Sequence, residues 1–397
     1  MKKVVFIAYL TNYGGIETFI YRMAKWMHLI GIDVTIFCDK DREQDKALVE
    51  DMLSVKAKIE KVSFRKKHNV LSKYQNRFTD CRTVCITFSY PGLILADSFF
   101  GKRKNVDIIF YDPHQYGLMM DYWASNKKIK LILKLVSAFF GRRMYKRHQI
   151  IFMDYLCKKR TLKEFNLKSL YSDDVLFLPM EIAPLDEKKI QLKNRKENFN
   201  ILTICRMTFP FKGYIFGLID DFVFLQKKYP FLTLTIIGKG QDQAKLEEKL
   251  CQISDKVREK IVWIKGVPYS ELSKYFLEAS LYVGMGTTII DAVNKGVPAF
   301  SIGSYTLECK GYDYFYVDGT NLGGLYGNKS IRTLMEQIIN FDDAQYLELC
   351  KKDHVELSKI YNIEKIGRKI LSFRNNKHGI FNNFERFFLP IAKRFVR

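Results

Sequence analysis

The sequence predicts an α/β protein built as two doubly wound units on parallel sheets. Three observations lead there. The hydrophobic period switches repeatedly between short β-rich runs and helical stretches. The same strand–helix series starts twice, at Val4 and again at Phe199. A chain of 397 residues, 47% hydrophobic and 14% aromatic, also exceeds what a single core usually organises.

In the first half, Val4 to Leu10 reads as a buried strand and Gly14-Gly15 as a turn. Ile16 to Ile30 reads as a helix, because Ile16, Phe19, Ile20, Met23, Met27 and Ile30 fall on one stripe. Gly31 stops that helix and Asp33 to Cys38 forms the next strand. Further strands are expected at Val84 to Phe88, Asp107 to Tyr111, Ile150 to Met153 and Val175 to Leu178.

The polar, Lys-rich segment Asp186 to Asn198 reads as a linker. After it come strand Phe199 to Cys205, helix Gly217 to Lys228, strand Leu232 to Ile237, helix Gln243 to Ser254 and strand Ile261 to Ile264. A helix Ser270 to Glu278, strand Leu281 to Val283, helix Thr288 to Lys295 and strand Ala299 to Ile302 complete the series. The expected domains are therefore 1–185 and 198–370, with a basic, aromatic tail 371–397. Ligands of such folds bind at the carboxyl ends of the strands, here in a cleft between the halves.

The formal net charge of +22 implies attraction to anions, whether nucleic acid, phospholipid or phosphorylated substrate. No helix-turn-helix, zinc-finger or RNP-like pattern accompanies it, so no specific nucleic-acid partner is expected. Eight scattered cysteines (Cys38, Cys81, Cys85, Cys157, Cys205, Cys251, Cys309 and Cys350) include no C-x-x-C pair and read as reduced thiols of a cytoplasmic protein. The N-terminal apolar run breaks into a Gly loop and reads as a first strand, not a signal peptide. The longest apolar stretch, Leu131 to Phe140, is cut by Lys134 and too short to span a bilayer.

Several segments carry chemistry. A G-x-G-x-x-G fingerprint is missing from the first half, yet Asn12-Tyr13-Gly14-Gly15 lies between a strand and a helix, where it is either an anion-approach loop or a plain tight turn. In the second half Arg206 follows a buried strand and Lys212-Gly213 lies just beyond, two cations at the mouth of a sheet. Lys239, between Gly238 and Gly240, reads as an ordinary solvated lysine. Gly284-Met285-Gly286-Thr287-Thr288 forms a glycine-rich turn opening a helix, whose free amides suit a diphosphate. Asp291 admits two readings: a ribose-binding carboxylate, or the acidic partner of a Thr288-x-x-Asp291 capping box.

Taken together these segments resemble the group 1 (family 4) retaining glycosyltransferases. Arg206, Lys212-Gly213, Ile236 to Gly240, Val262 to Pro268, and Gly284 to Ala292 with Gly296-Val297-Pro298 stand in that family's order and spacing, and Gly14-Gly15-Ile16-Glu17 looks like its G-G-x-E loop. The resemblance implies a GT-B fold of two Rossmann-like domains, an N-terminal acceptor domain and a C-terminal donor domain. It implies transfer, with retention, from a nucleotide-diphosphate sugar to a lipid-linked or oligosaccharide acceptor in cell-surface polysaccharide or glycolipid synthesis, with no metal and no cofactor besides the sugar donor. Domain closure would exclude water from the reaction.

Residue by residue, Arg206 and Lys212 match the pair that neutralises the donor diphosphate. Gly286, Thr287 and Thr288 match the amides that contact phosphate, Asp291 the ribose-binding acid, and Lys265 and Gly266 the backbone that reads the base. Gly14, Gly15 and Glu17 match the N-terminal loop. His114, in Asp112-Pro113-His114, matches a cleft histidine near the reacting sugar and is the catalytic candidate beside Arg206 and Lys212; Asp154 is a further one. The sequence departs from the family at Val283, where the first Glu of E-x7-E is expected. That departure keeps open a binding protein that does not transfer, and an epimerase on the same architecture is a further alternative. Finally, Lys130, Lys134, Arg142, Arg143, Lys146 and Arg147 bracket the Leu131–Phe140 run, and Phe381, Phe384, Phe388, Ile391 and Phe395 alternate with cations in the tail, so both segments are candidates for contact with an anionic membrane at the inner face.

Overall fold

A computed structural model describes residues 2–11, 14–64, 74, 77–79, 81–114, 116–122, 130–191, 194–268, 271–324 and 327–381. The chain divides into two compact units, Met1–Glu181 with Ile363–Arg397, and Ile182–Asn362. Against the expected segments, the second unit starts at Ile182, ahead of the Lys-rich segment Asp186 to Asn198, which it takes in as part of itself, and the final helix Ile363–Ser372 groups with the first unit. Within the first unit that helix packs on helix Gly15–Leu29, so closely that a Cβ on Gly367 would lie 2.2 Å from the Trp26 ring. The tail residues Phe384, Phe388, Ile391 and Phe395 lie outside the described residues.

The first unit is a six-stranded sheet of β1 (Lys2–Ala8), β2 (Asp33–Asp39), β3 (Lys58–Val62), β4 (Arg82–Thr87), β5 (Val106–Asp112) and β6 (Ile150–Phe152), in the order β3-β2-β1-β4-β5-β6. Every pairing is parallel. Helices cover both faces of such a sheet, which is why β1 reads as an unbroken apolar run with Val4 to Ala8 all buried. The strand order reverses between β1 and β4, opening a crevice at their carboxyl ends.

The second unit repeats the plan with β7 (Phe199–Ile204), β8 (Leu232–Ile237), β9 (Ile261–Ile264), β10 (Leu281–Gly284) and β11 (Ala299–Ser301), in the parallel order β11-β10-β7-β8-β9. Its reversal falls between β7 and β10.

Two expectations need correction. Val175 to Leu178 is not a strand: Val175 makes a single bridge with Phe152, and the Leu176 carbonyl accepts from the buried Tyr111 hydroxyl at 2.8 Å, a side-chain partner in place of a ladder. The capping box at Thr288 does not form either. The helix Thr287–Asn294 begins one residue earlier, with Gly286 at its N-cap and no side-chain cap. Thr288 Oγ1 instead lies 2.5 Å from the Tyr282 hydroxyl, and Asp291 is already beyond the first turn.

Candidate active site

The donor-side candidates gather at the carboxyl ends of the second unit's strands. The chain after β7 is tied to the chain after β8: Met207 N donates to Lys239 O at 3.1 Å and Asp242 N to Met207 O at 3.2 Å. Gly238 sits at φ +145°, and a Cβ there would lie 1.8 Å from Cys205 O, so only glycine lets the two strand ends approach this closely. β9 joins them, because Trp263 Nε1 donates to Gly238 O at 2.9 Å. Gly266, at φ +137°, then lies beside the Lys239 stem.

Arg206 is exposed at this rim and Lys212 is half-buried. Desolvation pushes the Lys212 ammonium down to about 8; Cys205 opposes this and the Arg206 charge adds to it. Nζ stands 5.0 Å from the Phe211 ring. Among the described residues neither cation is in an ion pair with an acidic side chain, whereas exposed Lys265 is paired with Glu247 at 3.1 Å. Two cations held together against mutual repulsion make a seat for an anion.

On the other side of the strand reversal, Gly286 turns at φ +83° into helix Thr287–Asn294. The Gly286 amide donates to Leu322 O at 2.6 Å, so the first-turn amides of Thr287 and Thr288 are the ones that an anion would find. Val283 is fully buried in this unit's apolar core with Leu281 and Met285.

In the first unit a cavity of about 620 Å³ opens at the carboxyl ends of β1, β4, β5 and β6. Its walls are aromatic, including Tyr9, Phe19, Phe88, Tyr90 and Tyr111, with Arg42, Ser89 and His114 as polar members. Gly15 lines it; of the other candidates from the N-terminal loop, the Glu17 carboxylate folds back over Gly14. The Arg42 guanidinium lies 4.0 Å from the Tyr9 ring centroid. Asp112, the last residue of β5, is fully buried below and accepts from Thr161 Oγ1 at 3.3 Å; burial holds its carboxyl well above the usual range.

His114 keeps an exposed edge, and its partial burial lowers its pKa against a smaller opposing pull from Asp154. The Tyr116 amide donates to His114 Nδ1 at 3.2 Å. That bond makes Nδ1 the acceptor, which leaves the proton of the neutral ring on Nε2. Asp154 caps helix Tyr155–Glu164 by accepting from Cys157 N at 2.6 Å, a structural task that accounts for its position. Among the described residues no group of three or more His, Cys, Asp or Glu is placed to hold a metal ion.

No protein-family model matches the chain. The chain is 28% identical over 140 residues to the UDP-N-acetylglucosamine–peptide N-acetylglucosaminyltransferase GtfA subunit of Streptococcus parasanguinis, a match over 33% of this chain and 26% of that protein. It thus spans about a quarter of that relative's length. Among solved structures, S. aureus TarM in complex with fondaparinux, α-GlcNAc-glycerol and UDP superposes with a TM-score of 0.60 at 12% identity, over 94% of this chain and 100% of that one. A glycosyltransferase from Rickettsia africae gives 0.61 at 13%, over 93% and 97%. The chain has the GT-B fold. The lipopolysaccharide outer core galactosyltransferase WaaB, at 14% identity and a TM-score of 0.52, shares the same GT-B plan over 99% of this chain.

Sequence reasoning missed the aromatic walls of the first GT-B unit. Tyr9, Phe88 and Tyr111 look like strand-end core residues, and only the strand order shows that they flank a topological switch point. Their position just past β-rich runs was the available signal.

Proposed function

We propose that the chain is a glycosyltransferase that moves a sugar from a nucleotide-diphosphate donor onto a glycan or lipid-linked acceptor. The observation that carries this reading is the Arg206–Lys212 pair at the strand reversal of the second unit, two cations with no acidic partner among the described residues, the lysine desolvated by burial. A leaving diphosphate gains negative charge as the bond to the sugar C1 breaks, so cations fixed at that point stabilise the transition state more than the ground state. The Thr287 and Thr288 amides add partial positive charge on the other side of the phosphates, and Asp291 accepts from the ribose hydroxyls.

The aromatic cavity of the first unit is the proposed acceptor site. His114, with its proton on Nε2, donates a hydrogen bond to a sugar oxygen rather than abstracting a proton. Retention of configuration, a hexosyl donor and metal-independent action follow the sequence resemblance and belong to the same proposal. So does a place in cell-surface polysaccharide or glycolipid synthesis, to which the likeness to the lipopolysaccharide galactosyltransferase WaaB lends support. The relatives' names support a UDP-type donor.

One observation favours a second reading. With Val283 buried where the family carries a carboxylate, the chain would bind a nucleotide-sugar without transferring it. Calorimetric titration with UDP tests the shared part of both: binding should weaken at least roughly tenfold in Arg206→Ala and in Lys212→Ala, the loss of one charge-assisted contact. Equal binding by all three proteins would remove the donor assignment.

A further inference from the structure

Helix Lys130–Lys146 has two unlike faces. Leu133, Ser137, Phe140, Gly141, Met144 and Tyr145 turn inward and are buried. On the opposite side Leu131 is 70% exposed, Ile132 61%, Leu135 64% and Phe139 56%. At about 100° per residue these four fall within an arc of roughly 100°. Arg142 and Lys146 continue the same row at the C-terminal end, and Lys134 flanks it. The helix carries Lys130, Lys134, Arg142, Arg143 and Lys146 and no acidic residue at all. Arg143 is held inward by Ile380 O, and Arg142 Nε donates to Phe165 O at 2.6 Å; the three lysines are exposed.

We propose that this face docks on an anionic phospholipid surface, lying in the interface with Leu131, Ile132, Leu135 and Phe139 among the acyl chains and the lysines at the headgroup phosphates. Four large apolar side chains held in water on one stripe are unfavourable unless something covers them. Uniform positive charge around the stripe selects an anionic cover, and the apolar stripe selects lipid over nucleic acid, which offers no hydrocarbon layer. No helix among the described residues is long and apolar enough to cross a membrane, so the contact is interfacial. The inference is independent of the transferase reading, because docking requires no turnover.

The test is sedimentation of the full chain with vesicles of phosphatidylcholine alone or mixed with phosphatidylglycerol, at low and rising salt. The wild-type protein should sediment with the mixed vesicles, release as salt rises and ignore the neutral ones. The exposed-stripe variant Leu131→Gln/Leu135→Gln/Phe139→Gln should keep its circular dichroism and lose partitioning at least roughly tenfold. Lys130→Gln/Lys134→Gln/Lys146→Gln should lose roughly fivefold per lysine. Wild-type-like binding by either folded variant, no binding of the wild type at low salt, or a dimer in solution that the stripe variant abolishes would each overturn the proposal.

Discussion

At Lys212 the cost of burying an ammonium gives the site a pH signature. Its pKa falls from 10.5 to about 8 in the folded chain, so below about pH 8 the protein carries the full penalty of a desolvated charge. Between about pH 8 and 10.5 the unfolded chain binds more protons than the folded one, and without ligand the stability contribution of this group rises with pH. A bound diphosphate supplies the missing counter-charge and reverses the preference. UDP affinity measured from pH 7 to 9.5 should therefore fall as pH passes about 8, and Lys212→Gln should flatten that part of the profile; a wild-type profile already flat would separate Lys212 from the anion. Asp291 gives a second residue-scale test. Because it lies beyond the first turn and forms no capping box with Thr288, Asp291→Asn should weaken UDP binding more than it lowers the melting temperature. The two cations were legible in the sequence because each follows a β-rich run or glycine turn. Whether Thr288 and Asp291 form a capping box was not, since it turned on where the helix starts, and that was set by Gly286 at positive φ and by Thr288 bonding to Tyr282.

Among the elements, the second unit was read closely because its strands are short, strongly β-branched and separated by glycine turns. Strands β8 and β9 match their expected limits, and β7, β10 and β11 differ by single residues at their ends. The first unit was read less fully. Helices Lys46–Ser54, Tyr90–Phe100 and Tyr155–Glu164 and strand β3 were not anticipated. Tyr90–Phe100 is apolar around much of its circumference, with Leu93, Leu95, Ala96 and Phe100 all buried, so it offers little helical period; β3 is a short edge strand whose adjacent charges Glu60 and Lys61 break the alternation that would mark it. The element junction that matters most to the site is the close approach of the chains after β7 and β8 at Gly238. Gly238→Ala should cost roughly 1–3 kcal/mol from backbone strain alone, with the clash against Cys205 O added. The expected outcome is a melting transition lowered by several degrees and weaker UDP binding. Gly15→Ala, whose Cβ would meet nothing within 4 Å, should show neither effect.

For the whole molecule, two strand reversals organise the proposed donor and acceptor sites, one between β1 and β4 beneath the aromatic cavity and one between β7 and β10 beneath the cations. A doubled α/β series was visible in the sequence, whereas the strand order that turns scattered residues into sites was not, because register and crossover depend on packing rather than on local pattern. Fold alone leaves activity open, and Val283 sharpens the question of whether a site that holds a donor also turns it over. The decisive measurement is release of nucleoside diphosphate from a panel of UDP-, GDP- and ADP-sugars, with candidate glycan acceptors and with chelator present, by the wild-type chain and by Arg206→Ala. The account predicts acceptor-dependent turnover of at least one donor in chelator, reduced in Arg206→Ala by roughly 2–4 kcal/mol of transition-state stabilisation, about 30- to 1000-fold in kcat/KM. Tight donor binding with no turnover of any sugar, or turnover that Arg206→Ala leaves intact, would contradict it.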